Sequence, residues 1–453
     1  MSSRQSSGTI SKERRSVERA SLPANTLNGY KENVLNQLST PKGLRLHIGV
    51  FGRRNVGKSS TLNALTRQNL SIVSEVAGTT TDPVEKAIEL LPIGPVVFID
   101  AAGIDDFGAL GEERVAKTRQ TFERVDLALI VVDAARDDAW GEFEESLVDE
   151  MNARSTPVLV VVNKIDAVGR ERVDAICSYL ESRNLTAVPF SALLDANAKV
   201  GAPKLRDALT KLVPDEFLTP PPVVSDLVAP GDFVLLVTPI DKEAPKGRLI
   251  LPQVQTIRDL LDGDLGCVVV KENLLGEALA KYKPALVVTD SQAFKTVAAT
   301  TPKDVPLTSF SILFARQKGN LTVMLAGARA IDALTEKSRV LIAEACAHHP
   351  IEEDIGTVKI PRALRKKVGE ALTVDHVQGH DFPDVDALGQ YDLIIHCGAC
   401  MFNRRETASR INRALEAGMP ITNYGLALAA LNGILDRAVA PLTTPNRKNE
   451  GRR

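Results

Sequence analysis

The sequence predicts an α/β protein of three successive domains, the first built on a parallel sheet. Short β-branched runs alternate with helical patterns from about Pro41 to Pro214, as in a parallel sheet covered on both faces. A glycine-rich phosphate-loop pattern lies between the first run and the first helix. The alternation then breaks and restarts twice before the C-terminus. A chain of 453 residues accommodates about two to four domains at roughly 100 to 200 residues each. Its 44% hydrophobic and 25% charged residues suit an ordinary globular protein, and a net charge of −2 offers no bulk attraction to nucleic acid.

Residues 1–41 read as a disordered tail. "MSSRQSSGTISKERRSVERA" has no apolar core of a secretory signal, and Glu13 and Glu18 count against the Ser- and Arg-rich character of an organelle transit peptide. Within 42–215, "LRLHIGVFG", "VVFIDAAG", "LALIVVDAA", "PVLVVVNKID" and "TAVPFSA" are expected as buried parallel strands. Pro220, Pro221 and Pro222 then stiffen the chain into a connector. The second unit, 216–303, has "FVLLVTPI", "GCVVVK" and "ALVVTD" as strands, with "PQVQTIRDLLDG", "NLLGEALAKY" and "SQAFKTVAA" as helices. The third, 304–441, holds "EKSRVLIAEACAHHP", the strand "YDLIIH" and the helix "RRETASRINRALEAG" closed by Gly418 and Pro420. Residues 442–453 read as a second disordered tail. No run approaches the roughly 18 apolar residues of a membrane span, and five cysteines are too few for a disulfide framework. A cytoplasmic chain without membrane or nucleic-acid partners is expected.

"GRRNVGKSS" matches G-x-x-x-x-G-K-[ST] over Gly52–Ser59. Gly52, Asn55, Val56, Gly57, Lys58, Ser59 and Ser60 form the expected phosphate cradle. Lys58 faces the β and γ phosphates and Ser59 ligates Mg²⁺. Downstream and in the required order come Asp100, a water-mediated Mg²⁺ partner, and Gly103, whose N–H senses the γ phosphate. Asn163, Lys164 and Asp166 follow, with Asp166 accepting the N1–H and exocyclic amine of guanine, and then Ser191 and Ala192, which close over the base. Alone, each is a turn or strand end; together they predict a GTP-hydrolysing domain.

Cys397 and Cys400 follow an apolar strand and precede a helix, where N–H groups and the helix dipole favour thiolate. A redox pair would fit, but Cys346, with His348 two residues on, supplies a third thiol, and three thiols converge more naturally on metal. Iron and zinc both fit that spacing, with His348 or His396 as candidate fourth ligands. Cys177 and Cys267 read as small core residues, His47 as a core histidine, and His376 and His380 as loop residues.

The nucleotide motifs resemble translation-factor-related GTPases with "GTTTD", Gly78–Asp82, in the first switch. That resemblance makes Thr80 the switch threonine on Mg²⁺ and Asn55 a holder of the K⁺ of potassium-activated relatives; the alternative for Asn55 is a turn residue. Ile104 stands where Ras-type GTPases carry a glutamine, so turnover is expected to be slow and to serve as a switch. The catalytic set expected is Lys58, Asn55, Thr80 and Gly103. Cys346-x-His348, a long interval and His396-Cys397-x-x-Cys400, with "PLTSFSILFAR" at Pro306–Arg316, resemble the HydF family of FeFe-hydrogenase maturation GTPases over about residues 42–441. The resemblance implies a P-loop GTPase domain, a smaller α/β dimerisation domain and an α/β iron-sulfur cluster domain. It further implies a 4Fe-4S cluster on Cys346, Cys397 and Cys400, a transient diiron precursor, a homodimer, and an FeFe-hydrogenase apoprotein and radical-SAM maturases as partners. The alternative is a potassium-activated GTPase of RNA modification or ribosome assembly with a structural zinc site.

Overall fold

Three separate sheets follow one another along the chain. The computed structural model describes residues 40–67, 84–100, 120–198, 201–239, 249–345 and 354–443. Of the expected site residues, Thr80, Gly103, Cys346 and His348 lie outside them, as do Ile104 and "GTTTD".

The first sheet holds β1 (Leu46–Phe51), β2 (Val84–Leu90), β3 (Gly94–Asp100), β4 (Leu127–Asp133), β5 (Val158–Asn163) and β6 (Thr186–Pro189), in the order β2-β3-β1-β4-β5-β6. All are parallel except β2, which pairs antiparallel with β3. The central strands β1, β4 and β5 are buried along their whole length, and their β-branched side chains feed cores on both faces of the sheet. The β2 strand, "VEKAIEL", is mostly half-exposed and occupies an edge.

The second sheet has β7 (Phe233–Val237), β8 (Gly266–Val270), β9 (Leu286–Thr289) and β10 (Leu307–Ser309), all parallel, in the order β10-β9-β7-β8. The three residues of β10 lie beyond the boundary expected at 303/304 yet complete this sheet. Ser309 then caps the helix Phe310–Lys318 by accepting from the Ile312 N–H. "PLTSFSILFAR" is therefore an edge strand running straight into a buried helix.

The third sheet has β11 (Arg339–Ala343), β12 (Thr373–Val377), β13 (Leu393–His396) and β14 (Ile421–Asn423), all parallel, in the order β12-β11-β13-β14. The chain leaves β11 toward β12 and returns on the other side to β13, so the β11/β13 boundary is a topological switch point. Ligands of open α/β sheets bind outside the carboxyl ends of strands at such points. His376 lies within β12 rather than in a loop. Among the described residues, no helix is long and apolar enough to cross a membrane.

Candidate functional site

The phosphate loop leaves β1 at its carboxyl end. Gly52 has φ +136° and a Cβ there would stand 2.2 Å from the Val131 carbonyl oxygen; at Gly57, φ +98°, it would stand 2.2 Å from Asn163 Nδ2. Only glycine fits either place. Asn55 takes a left-handed φ of +63°, which asparagine tolerates, and its side chain is exposed. Lys58 opens the helix Lys58–Thr66, and its ammonium donates to the carbonyls of Gly52 and Arg53, folding back over the loop.

Strand register collects the other nucleotide residues at the same sheet end. Asp100 pairs with Val50 across β3 and β1, and Asp133 with Asn163 across β4 and β5. The Asn163 amide donates to the Val56 carbonyl at 2.8 Å and accepts from the Ala192 N–H at 3.2 Å, tying the phosphate loop to the base loop. The Lys164 ammonium donates to Asp133 Oδ2 at 2.6 Å and to the Asn55 carbonyl at 2.7 Å. Ser191 Oγ donates to Asp166. These groups wall a pocket of about 720 Å³ whose lining includes Gly57, Ser60, Asn163, Lys164, Asp166 and Ala192. Ser59 is half-buried in the helix's first turn.

The second constellation sits at the switch point of the third sheet. The Cys397 N–H donates to the Ala343 carbonyl across β11. Its Sγ accepts from the N–H of Ala345, the residue before Cys346 in sequence, at 3.1 Å and from that of Ala399 at 3.4 Å. The turn closes through the Phe402 N–H to the Ala399 carbonyl, with Ala399 at φ +51°. Burial pushes the Cys397 thiol up to about 11, against the lowering by its two N–H bonds. This corrects the expectation that the following helix favours thiolate: that helix, Arg404–Glu416, begins only after its cap Asn403, beyond the reach of a dipole confined to the first turn. Cys400 is partly buried in the same turn.

His396 is buried with both ring nitrogens engaged. The Cys397 carbonyl can only accept, so Nδ1, 2.8 Å away, carries the proton, and Nε2 accepts from Arg410 at 3.1 Å. Burial and the neighbouring guanidinium lower its pKa to about 3. The ring thus has no lone pair left for a metal, unlike the candidate ligand read from sequence. Arg410 itself is 2% exposed, bonds the Gly379 carbonyl and lies 4.4 Å from the Phe402 ring centroid and 5.0 Å from that of Phe382.

Lys318, at the end of the helix Phe310–Lys318, is 6% exposed. Its ammonium donates to the carbonyls of Phe402 at 2.9 Å, Ala399 at 3.2 Å and Cys400 at 3.4 Å. From the other domain, a Cβ on Gly43 would fall 2.6 Å from the Phe402 oxygen and 2.8 Å from that of Cys400. Asn403 completes the joint. Its Oδ1 caps the Glu406 N–H at 2.9 Å, while Nδ2 donates to the Arg124 carbonyl at 2.8 Å, Asp126 Oδ2 at 3.1 Å and His47 Nδ1 at 3.2 Å. Sequence reading passed over Lys318, Arg410 and Asn403, because a single cation or amide in a polar helix carries no signal of burial.

The first sheet with its phosphate loop defines a P-loop GTPase domain, followed here by two smaller α/β domains. A model described as 50S ribosome-binding GTPase matches residues 47–164, the hydrogen maturase F dimerization domain matches 223–319, and the hydrogen maturase F tetramerization domain matches 322–441. The chain belongs to the hydrogen maturase F (HydF) family. Among curated proteins it is similar to GTPase Der of Wolinella succinogenes, 40% identical over 129 residues, 28% of this chain and 27% of that protein. It is also similar to the tRNA modification GTPase MnmE of Nostoc sp., 34% identical over 172 residues, 37% of this chain and 34% of that protein. The chain thus spans about a third or less of the length of these two relatives. A solved translation elongation factor SelB from Methanococcus maripaludis aligns with 37% of this chain and 33% of its own at 23% identity and a TM-score of 0.28, too low to carry an argument.

Proposed function

We propose that this chain is a GTP-hydrolysing carrier in FeFe-hydrogenase maturation. In this reading Cys346, Cys397 and Cys400 hold a 4Fe-4S cluster, and a diiron precursor received from radical-SAM maturases is handed to the hydrogenase apoprotein. The observation that carries it is the Cys397 sulfur, which accepts two backbone N–H bonds at the switch point of the third sheet. Hydrogen bonds to sulfur and the charges around it are the protein's means of tuning a cluster. Bound there, a cluster held by three thiolates supplies one iron with a position open to an incoming ligand. With both ring nitrogens of His396 engaged, that histidine orients the loop, and His348 is left as the candidate fourth ligand.

At the nucleotide site the loop N–H groups and Lys58 gather the phosphates, Asp166 reads guanine, and Ala192 and Ser191 close over the base. Ser59, Thr80 and Asp100 would hold Mg²⁺, which neutralises charge on the β and γ phosphates. Water attacks the γ phosphate in line, the bond from the γ phosphorus to the β–γ bridging oxygen breaks to give GDP and inorganic phosphate, and the Gly103 N–H registers the loss of the γ group. Asn55 would hold a K⁺ where an arginine finger would otherwise sit, helping a hydrolysis in which Ile104 has no polar side chain to orient water. Hydrolysis switches partner association rather than building the cluster. The cytoplasm is the expected compartment, and the dimer forms through the middle domain, where Phe233, Leu261 and Val269 are exposed apolar residues.

The test is anaerobic reconstitution with iron and sulfide, read by metal content, optical absorption and EPR. A brown protein that becomes EPR-active on one-electron reduction with dithionite supports the reading. A colourless protein that takes up zinc alone overturns it in favour of a structural-zinc GTPase.

A further inference from the structure

The loop Cys397–Phe402 is held by two buried cations from different helices. Lys318 comes from the helix Phe310–Lys318 and aims its hydrogen bonds at loop carbonyls. Arg410 comes from the helix Arg404–Glu416 and aims its own at His396 and Gly379. Among the described residues neither meets a carboxylate in an ion pair. Glu406 and Glu123, the carboxylates acting on Arg410, are engaged elsewhere, Glu406 by His380 at 2.6 Å and Glu123 by Arg413. The acidic groups that act on Lys318 are the thiols of Cys400 and Cys397. A buried cation without an anionic partner is costly. Two of them around one cysteine pair make sense where the missing anion arrives with the cargo.

We propose that Lys318 and Arg410 are the fixed countercharges of the cysteine loop, positioning residues that make it a receptor for a net-negative metal-thiolate group. This rests on the metal reading of Cys346, Cys397 and Cys400. Metal held by three thiolates is net negative for iron-sulfur and for zinc alike, and a cluster becomes more so on gaining an electron. The carbonyls of Ala399, Cys400 and Phe402 orient the ammonium beside the thiols in advance, so no rearrangement is needed when the anion forms. Lys318 also shapes the turn, and charge and shape are separable by substitution.

The experiment uses the full-length chain with Lys318→Met and Lys318→Arg, reconstituted anaerobically and titrated for one-electron reduction. Loss of the positive charge should lower the reduction equilibrium constant of the Lys318→Met protein at least tenfold, about 59 mV, while Lys318→Arg keeps the parental potential. Equal potentials in Lys318→Met and the parent at equal iron content would overturn the inference. Should the parent take up no iron, the iron-sulfur reading fails alone. Zinc affinity of the same proteins then decides the countercharge, a tenfold weakening in Lys318→Met supporting it and an unchanged affinity overturning it. Circular dichroism checks folding; where Lys318→Met departs from the parent, Lys318→Gln, which keeps donors for the carbonyls without the charge, is read by the same criteria.

Discussion

Replacing Asn403 by alanine removes a helix cap and the pin between the cysteine loop and the GTPase domain in one step. Loss of the Glu406 N–H acceptor costs about 1 kcal/mol, the ordinary value of an N-cap. Loss of Nδ2 leaves the buried Arg124 carbonyl without its 2.8 Å donor and His47 Nδ1 without its 3.2 Å contact, at about 1 to 3 kcal/mol for a buried group left unpaired. The sum, about 2 to 4 kcal/mol, is a large part of the roughly 5 to 15 kcal/mol that holds a native protein together. Asn320 supplies the control: it caps the helix Leu321–Ala330 through the Val323 N–H at an exposed site, so Asn320→Ala should cost about 0.5 to 1 kcal/mol. Asn403→Asp keeps the capping oxygen but sets a carboxylate against Asp126, and should be as harmful as the alanine. Urea unfolding of the three variants measures these differences. Asn403→Ala no more harmful than Asn320→Ala would refute the reasoning, since Nδ2 would then contribute nothing across the joint.

Asp166→Asn should weaken GTP binding at least tenfold and turn preference toward xanthosine triphosphate, because the hydrogen-bond polarity at the base is reversed; unchanged GTP affinity in a nucleotide titration removes Asp166 from the base site. If Asn55 holds K⁺, hydrolysis should be faster in K⁺ than in Na⁺ at equal ionic strength and Asn55→Ala should abolish the difference; equal rates in the parent leave Asn55 as a turn residue. Cys397→Ala and Cys400→Ala should each lose iron and visible absorption on reconstitution, while Cys177→Ala, whose thiol packs beside the first domain's core, keeps both.

Most of the parallel strands could be read from the sequence because burial on both faces forces continuous apolar runs. "LALIVVD" and "VLVVVN" carry no polar residue before their last, Asp133 and Asn163. The β2 strand escaped because "VEKAIEL" is an edge strand with mixed exposure, and β10 because three residues make no pattern. The phosphate loop is legible for a different reason: its chemistry is local, and Gly52, Gly57 and Lys58 act within a few residues of one another. The cysteine turn is legible only in part. Cys397 and Cys400 announce themselves, but what surrounds them arrives from Lys318, Arg410 and Gly43, far away in the chain. Arg410 sits in "RRETASRINRALE", whose charges read as a solvated face; in the fold it stacks on Phe402 and Phe382.

The pin between Asn403 and His47 joins residues 356 positions apart, and this gives the protein a schedule. At roughly 5 to 20 residues per second of synthesis, about 20 to 70 s separate the appearance of β1 at the ribosome from that of its partner. The first sheet, whose strand pairs close entirely within residues 46–189 and whose core is completed by Leu205, Leu209 and Val213, takes no strand from the later sheets. The turn of Cys397 has no floor until Gly43, Lys318 and Asn403 are all in place. A nascent protein whose first sheet is complete therefore still lacks a finished cysteine turn.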